Sequence, residues 1–172
     1  MTSKYQQAKP LITSEWLNSD KPLTFEDFRG RVTLVTIFQV LCPSCMSHAV
    51  PQAKRVRELF AEEDVAVIGL HTVFKQHDKQ TPAAVARMAR EHDIRFPLGI
   101  DKQDAGEHLG ETFQAYELKG TPTQLLLDRD GNLRKNKFGF DSDLQVGAEI
   151  MALLRDRETG LQYTQDPHQS TS

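Results

Sequence analysis

The only two cysteines of this 172-residue chain are separated by two residues, in the sequence Cys42-Pro43-Ser44-Cys45. They directly follow an apolar, β-branched run, and a helix-like stretch follows them. The run predicts a strand over residues 32–40 that is buried on both faces, as in the centre of an α/β sheet. A C-x-x-C pair between such a strand and a helix is typical of a redox site. The two thiols can close a small disulfide ring, and amides at the helix end can stabilise a thiolate.

Alternating strand-like and helix-like segments continue along the chain. Residues 65–70 predict a second buried strand, and Thr81-Pro82 predicts the start of a helix, with the threonine as its N-cap. The Asp-Gly pair within residues 128–132 predicts a hairpin between two strand-like runs. Helices between the early strands require parallel crossovers, whereas the hairpin is antiparallel. We therefore predict an α/β fold with a central mixed β-sheet flanked by helices on both faces.

Composition and charge narrow the classes of partner. A chain with 38% hydrophobic and 26% charged residues is typical of a soluble globular protein. The net charge of -3 and the lack of a basic patch argue against nucleic acid as a partner. We expect no membrane insertion, since no run of about 18 apolar residues is present. The start of the chain lacks the apolar core of a signal peptide, so we expect a cytoplasmic protein; a chain trimmed of its leader would look the same.

The length of the chain predicts one domain. We assign residues 1–157 to it, because a chain of this length can bury one sizeable core. Residues 158–172 are polar and contain a proline, which predicts a flexible C-terminal tail.

Several distant segments together resemble the thioredoxin superfamily. They are the strand leading into the C-P-S-C motif, the Gly-Thr-Pro-Thr at residues 120–123 and the hairpin at residues 128–132, followed by Phe-Gly at residues 138–139. Residues 72–116, between the second strand and the later proline, are similar to the insertion of the TlpA-like or redoxin branch. The resemblance covers roughly residues 11–154. It implies a thioredoxin-like fold with this insertion, and a thiol–disulfide oxidoreductase.

Each residue of the C-P-S-C segment has an expected role in such a protein. Cys42 is the predicted nucleophile, because it comes first and is expected to be the more exposed thiol. Cys45 lies one turn inward and is predicted to resolve the mixed disulfide. Pro43 fits the first helical turn, where no hydrogen-bond donor is lost. We predict that Pro43 and Ser44 contact the substrate.

The later Thr-Pro pair is expected to form the other side of a substrate groove. The resemblance implies a cis peptide bond before Pro122, and backbone groups of Thr121 that pair with an extended substrate. Without the resemblance, an ordinary trans turn before a strand is the favoured alternative. We predict that Thr121 and Pro122 bind the substrate.

Four positions depart from the family pattern. Leu41 replaces the tryptophan that usually precedes the first cysteine, and Thr36 replaces the buried acid of thioredoxin. His48 stands where TlpA-like proteins often have an acid. We predict that it takes part in proton transfer with Cys45; the alternative is a helix histidine without a catalytic role. Pro51 lies six residues after the second cysteine instead of five, which predicts one extra residue in the helix, as a π-bulge.

Three other functions match parts of the pattern. A metal site is disfavoured and no metal is expected, since zinc usually needs four ligands and the chain has one C-x-x-C pair without a paired-histidine motif. A thiol peroxidase of the peroxiredoxin type would have Thr or Ser three residues before its cysteine and Pro seven before it. This chain has Gln39 and Val35 there. A thioredoxin-fold binding module without catalysis is the third alternative, and the missing tryptophan leaves room for it.

Thiol–disulfide exchange determines the expected partners. The reaction needs a thiolate, an attack path and a resolving thiol. We therefore expect no bound organic cofactor. The substrate would be a protein or small-molecule thiol or disulfide, and a dithiol redox partner protein would supply or accept the electrons.

Overall fold

Six strands form one mixed sheet in the computed structural model, which describes residues 4–158. The strands are β1 Thr13–Leu17, β2 Val32–Phe38, β3 Val65–His71, β4 Leu98–Asp101, β5 Thr123–Leu127 and β6 Leu133–Phe138. Their order is β1-β4-β3-β2-β5-β6. β2, β3 and β4 are parallel, while β1 and β5 run antiparallel to their neighbours. The predicted mixed sheet and late hairpin are confirmed. The predicted tail lies outside the described residues from residue 159 onward.

Helices cover both faces of the sheet, as predicted, but unequally. They are a π-helical segment Cys45–Ala49, α1 Val50–Leu59, α2 Pro82–Glu91, α3 Glu111–Ala115 and α4 Asp143–Glu158, with 3₁₀ turns at Phe25–Phe28 and His77–Lys79. α1, α2 and α4 pack on one face, around β2 side chains such as Leu34 and Phe38. α3 covers the other face, where Phe113 packs with Val35 and Ile37. Over residues 4–158, no helix has the length and apolar character needed to cross a bilayer.

The central strand β2 leads directly to the cysteines. All of its residues are buried, as its apolar sequence predicts for a strand with neighbours on both edges. On β5, Gln124 lies directly opposite Thr36. The predicted strand is too long at its end, because β2 stops at Phe38 and residues 39–41 turn toward the helix. The turn places Cys42 at the carboxyl end of the central strand.

Two local predictions about the helices are confirmed. Thr81 caps α2, since its Oγ1 accepts the N–H of Ala84 at 3.3 Å. A π turn, Cys45–Ala49, precedes α1 and accommodates the extra residue. Pro51 follows it in the first turn of α1.

The insertion, residues 72–116, adds one strand and two helices to the fold. It is anchored by the buried carboxylate of Asp101 at the end of β4. This group accepts the N–H of Thr112 at 2.8 Å and that of Phe113 at 3.1 Å, at the start of α3. A Cβ on Gly110 would lie 2.0 Å from the Asp101 Oδ2, so this close approach requires glycine.

Candidate active site

Cys42 and Cys45 lie in contact at the start of the helix that follows β2. Both thiols are free, so the structure shows the dithiol form. The N–H of Cys45 donates to the Sγ of Cys42 at 3.4 Å, and the N–H of Met46 donates to the Cys42 carbonyl at 3.1 Å. Cys42 is half-buried and Cys45 is fully buried. One sulfur is therefore accessible and the other is shielded, which is the expected difference in exposure.

The two thiols differ in acidity. Burial is the largest influence on the pKa of Cys42 and raises it, but hydrogen bonds from the Cys45 thiol, the Ser44 hydroxyl and the Cys45 amide outweigh burial and lower this pKa. The Oγ of Ser44 lies 3.5 Å from the Cys42 Sγ. Burial raises the pKa of Cys45 to about 12, and the hydrogen bond with Cys42 adds to the increase. Cys42 is therefore the better source of a thiolate, and Cys45 keeps its proton near neutral pH.

The Thr121-Pro122 peptide bond is cis, as the family resemblance implies. The loop lies against the first cysteine, because the carbonyl oxygen of Thr121 is 3.6 Å from the Cys42 Sγ. The carbonyl oxygen of Pro122 accepts the N–H of Gly139 at 2.7 Å, which ties the loop to the end of β6. The structure thus brings the Thr-Pro pair and the C-x-x-C motif together.

A cleft of about 210 Å³ opens beside the Cys42 thiol. Its walls come from the motif and the turn before it, from the Thr-Pro loop and from the insertion. Pro43 and Thr121, two of the predicted substrate-contacting residues, line this cleft. Leu41 also lines it and is 48% exposed, so an apolar side chain lies at the mouth. Ser44 contacts the Cys42 sulfur instead of the cleft wall.

The insertion supplies cleft residues that the sequence reasoning missed. Phe74 and Lys75 line the cleft, and the side chains of Gln39 and Gln80 are buried beside it. In the sequence, Gln39 stands out only as a departure from the peroxidase pattern. Its position at the end of an apolar strand could have identified it as part of the site, because a polar side chain that is buried there needs hydrogen-bond partners nearby.

His71, at the end of β3, holds the turn before the cysteines. Its side chain is 1% exposed, and its Nε2 accepts the N–H of Val40 at 3.3 Å. Burial lowers the pKa of His71 to about 4, so the ring is neutral near neutral pH and keeps its acceptor nitrogen. The sequence pattern did not single out this histidine as part of the site.

The position of thioredoxin's buried acid is uncharged here. The Oγ1 of Thr36 is buried and has no hydrogen-bond partner among residues 4–158. Gln124, directly opposite on β5, has a buried Oε1 that is likewise unpartnered within the described chain, while its Nε2 donates to Gln52. Any proton that leaves Cys45 therefore has no carboxylate at this position to receive it.

His48 lies on the exposed side of the π-helical segment. Its Nδ1 is 2.7 Å from the Oγ of Ser47, and its ring stacks on Phe140 with centroids 4.7 Å apart. Within the described residues, no hydrogen bond joins His48 to Cys45. A π turn contains more residues than an α turn, so residues three apart do not align along it as they do in an α-helix. The role of His48 in proton transfer stays a prediction.

The fold and the site together define a class of protein. A dithiol at the carboxyl end of a central strand, at a helix start and beside a cis-proline loop, is the arrangement of the thioredoxin fold, which solved thioredoxin-like structures share with this chain. No cluster of three or more His, Cys, Asp or Glu side chains that could hold a metal occurs in residues 4–158. Within this class the chain belongs to the Redoxin family, whose model matches residues 6–149.

Several similar proteins have names that refer to thiol–disulfide chemistry. The thiol-disulfide oxidoreductase YkuV of Bacillus subtilis is 28% identical over 158 residues, which cover 90% of this chain and 99% of that protein. The crystal structure of a thiol-disulfide isomerase from Corynebacterium glutamicum is 39% identical with a TM-score of 0.83, and the match covers 88% of this chain and 97% of that one. Protein DipZ of Mycobacterium bovis is 29% identical over 91% of this chain, which spans only 22% of DipZ.

Proposed function

We propose that this protein catalyses thiol–disulfide exchange through Cys42 and Cys45. The observation that most strongly supports this proposal is the difference between the two thiols. The accessible Cys42 thiol has a lowered pKa, and the buried Cys45 thiol has a pKa of about 12. A nucleophile must be a thiolate that a substrate can reach, whereas a resolving thiol only has to reach the first sulfur. The names of its full-length relatives support the same reaction class.

Exchange would proceed in two displacements at sulfur. The Cys42 thiolate attacks one sulfur of a substrate disulfide, the substrate S–S bond breaks, and its other sulfur leaves as a thiolate. Cys45 then loses its proton and attacks the Cys42 Sγ, which releases the second substrate thiolate and leaves a Cys42–Cys45 disulfide. Two electrons pass from the dithiol to the substrate, and the released thiolates take up protons. A dithiol redox partner protein would return the electrons; in the reverse direction the protein oxidises its substrate.

The cleft beside Cys42 supports binding of an extended substrate. The carbonyl oxygen of Thr121 lies 3.6 Å from the Cys42 Sγ, and Pro43 lines the same cleft. A polypeptide could pair with the backbone of Thr121 in the manner of an added strand. We therefore assign substrate contacts to Pro43 and Thr121, which line the cleft, while contacts by Ser44 and Pro122 stay predictions.

Reduction of a protein disulfide tests the proposal. We expect wild-type protein to reduce insulin disulfides in the presence of dithiothreitol faster than dithiothreitol alone, and Cys42→Ser to lose all of this acceleration. A binding module would give no acceleration in either form. A peroxidase would instead consume peroxide through Cys42. Gln39, which stands where a peroxiredoxin would have Thr or Ser, is engaged by Thr121 and Gln80.

A further inference from the structure

Two buried glutamine side chains join the segments that surround the cleft. Gln39 lies in the turn after β2 and is 2% exposed, and Gln80 lies just before α2 and is 4% exposed. The Nε2 of Gln80 donates to the Oε1 of Gln39 at 3.0 Å. Burying an amide group is unfavourable unless its hydrogen bonds are satisfied, so the partners of these groups reveal what the pair holds together.

Gln80 connects the insertion to the turn before the first cysteine. Its Nε2 donates a second hydrogen bond to the carbonyl oxygen of Lys75 at 2.9 Å. Its Oε1 accepts the N–H of Leu41 at 3.2 Å. Both protons and the oxygen of this amide are therefore used. Since Leu41 directly precedes Cys42, one side chain joins a wall of the cleft to the turn before the motif.

Gln39 extends the connection to the Thr-Pro loop. Its Nε2 donates to the Oγ1 of Thr121 at 3.0 Å, and its Oε1 accepts the N–H of Phe74 at 3.5 Å. Thr121 is also the residue whose carbonyl lies against the Cys42 Sγ. The two glutamines thus link the insertion, the turn after β2 and the Thr-Pro loop in one network, and these three segments line the cleft.

We propose that the Gln39–Gln80 pair fixes residues 74–80 as a wall of the substrate cleft, and that this wall favours polypeptide disulfides as substrates. The inference rests on the proposed exchange activity and adds a specificity element to it. Gln39 and Gln80 are positioning residues, because their side chains hydrogen-bond to neither sulfur. A polypeptide bound across Cys42 meets Phe74 and Lys75 on this wall, whereas a small disulfide needs to reach the sulfur alone.

Replacing Gln80 by methionine tests the wall. Methionine keeps the unbranched shape but cannot hold the Leu41 amide or donate to Gln39. In Gln80→Met we expect the KM for insulin to rise about tenfold with kcat changed less than about threefold, as for the loss of a buried hydrogen-bonded support. We expect the rate with hydroxyethyl disulfide to change less than about twofold, because that substrate makes no use of the wall.

Gln52→Met is the matched control. Gln52 is also a glutamine with 2% exposure, and its Nε2 donates to the carbonyl of Asp141 at 2.7 Å and to the Asp143 Oδ1 at 2.9 Å, outside the cleft. Its replacement removes comparable hydrogen bonds and should leave the ratio of insulin to hydroxyethyl disulfide activity unchanged. The proposal is overturned if Gln80→Met raises the KM for insulin no more than Gln52→Met, or if both substrates lose activity equally.

A measurement on wild-type protein keeps the proposal testable if Gln80→Met does not fold. The Leu41 amide, held by Gln80, should exchange its hydrogen at least about a hundredfold more slowly than an unstructured peptide amide. Hydrogen exchange of the Leu41 amide at the rate of an unstructured peptide would overturn the proposal that Gln80 fixes the wall. Wild-type protein that reduces neither disulfide would overturn the exchange activity and the wall together. An active wild type in which Gln80→Met changes the activity toward insulin and hydroxyethyl disulfide by the same factor would overturn the wall alone.

Discussion

The amide N–H of Cys45 donates to the Sγ of Cys42 at 3.4 Å, while burial raises the pKa of the Cys45 thiol to about 12. One residue thus stabilises its partner's thiolate and remains protonated itself. A single helical turn creates this difference, because its amides point toward the accessible sulfur and its second thiol points into the core. The different roles of the two cysteines, as nucleophile and resolving thiol, follow from their positions in that turn.

Ser44→Ala should make the Cys42 thiol less acidic. The substitution removes one of the hydrogen bonds that lower the pKa of Cys42, so this pKa should rise. Near neutral pH, we expect alkylation of Cys42 by iodoacetamide to slow about fivefold, the effect of a hydrogen bond worth about 1 kcal/mol. The pH profile of the alkylation rate measures the shift. Ser19→Ala, which changes a half-buried serine whose hydroxyl donates to the Lys21 carbonyl, should leave the profile unchanged. Coinciding profiles for Ser44→Ala and Ser19→Ala would contradict the assigned role of Ser44.

The stability of the fold should decrease as the pH falls from 6.5 toward 4 because of His71. Burial lowers its pKa from 6.5 to about 4, so in this range the unfolded chain binds a proton that the folded state does not. The stabilisation is present above pH 6.5 and is lost on acidification, with a full effect of roughly 3 kcal/mol. Urea unfolding over this range measures it.

His71→Gln is the matched variant for that measurement. Glutamine reaches about as far as the histidine Nε2, so its amide oxygen can accept the Val40 N–H, and it does not titrate. Its free energy of unfolding should therefore lack most of the acid-dependent decrease, whatever its absolute stability. An equal slope in both proteins would show that His71 is not the group responsible.

Thr36→Val should leave the stability nearly unchanged or raise it. The Oγ1 of Thr36 is buried and unpartnered within residues 4–158, so an isosteric apolar group removes an unmet polar atom. Thr123→Val is the comparison, because the buried Oγ1 of Thr123 donates to the Gly120 carbonyl at 2.8 Å. We expect that variant to lose about 1 kcal/mol in urea unfolding. If Thr36→Val costs as much, its hydroxyl has a stabilising partner.

The hypothesis that His48 accepts the proton of Cys45 makes a separate prediction. His48→Ala should then shift the pH profile of Cys45 alkylation, because the thiol would lose the group that accepts its proton. Phe140→Ala, which removes only the stacked ring, should leave the profile in place. Identical profiles for wild type and His48→Ala would exclude the proton-transfer role.

Features that depend on neighbouring residues were predicted well from the sequence. The apolar run predicted the central strand and Thr81 predicted a helix cap, because each depends on local backbone chemistry. The π turn was predicted instead from the family resemblance, since Pro51 lies one residue later than the family spacing. The predicted length of the central strand was less accurate. Val40 is apolar but lies beyond the end of β2, and its N–H donates to the His71 side chain instead of to a backbone carbonyl of a neighbouring strand.

Contacts between distant segments escaped prediction where the family resemblance did not imply them. The Gln39–Gln80 bond joins residues 41 positions apart, and His48 stacks on Phe140 from another part of the chain. No periodicity or spacing marks such pairs, since they depend on how the insertion and the last hairpin fold back onto the site. The sequence does not show whether a given glutamine or histidine is buried, so its role becomes clear only from the packing around it.

Trapping of the mixed disulfide tests the central claim most directly. In Cys45→Ser the first displacement can occur but the second cannot, so the protein should accumulate covalent adducts through Cys42 when mixed with a disulfide substrate. Non-reducing electrophoresis and mass spectrometry of the Cys42 peptide would detect them. We predict adducts in Cys45→Ser, released by dithiothreitol and absent in Cys42→Ser. Failure of Cys45→Ser to form them, or equal adducts in both variants, would contradict the assignment of Cys42 as nucleophile and Cys45 as resolving thiol.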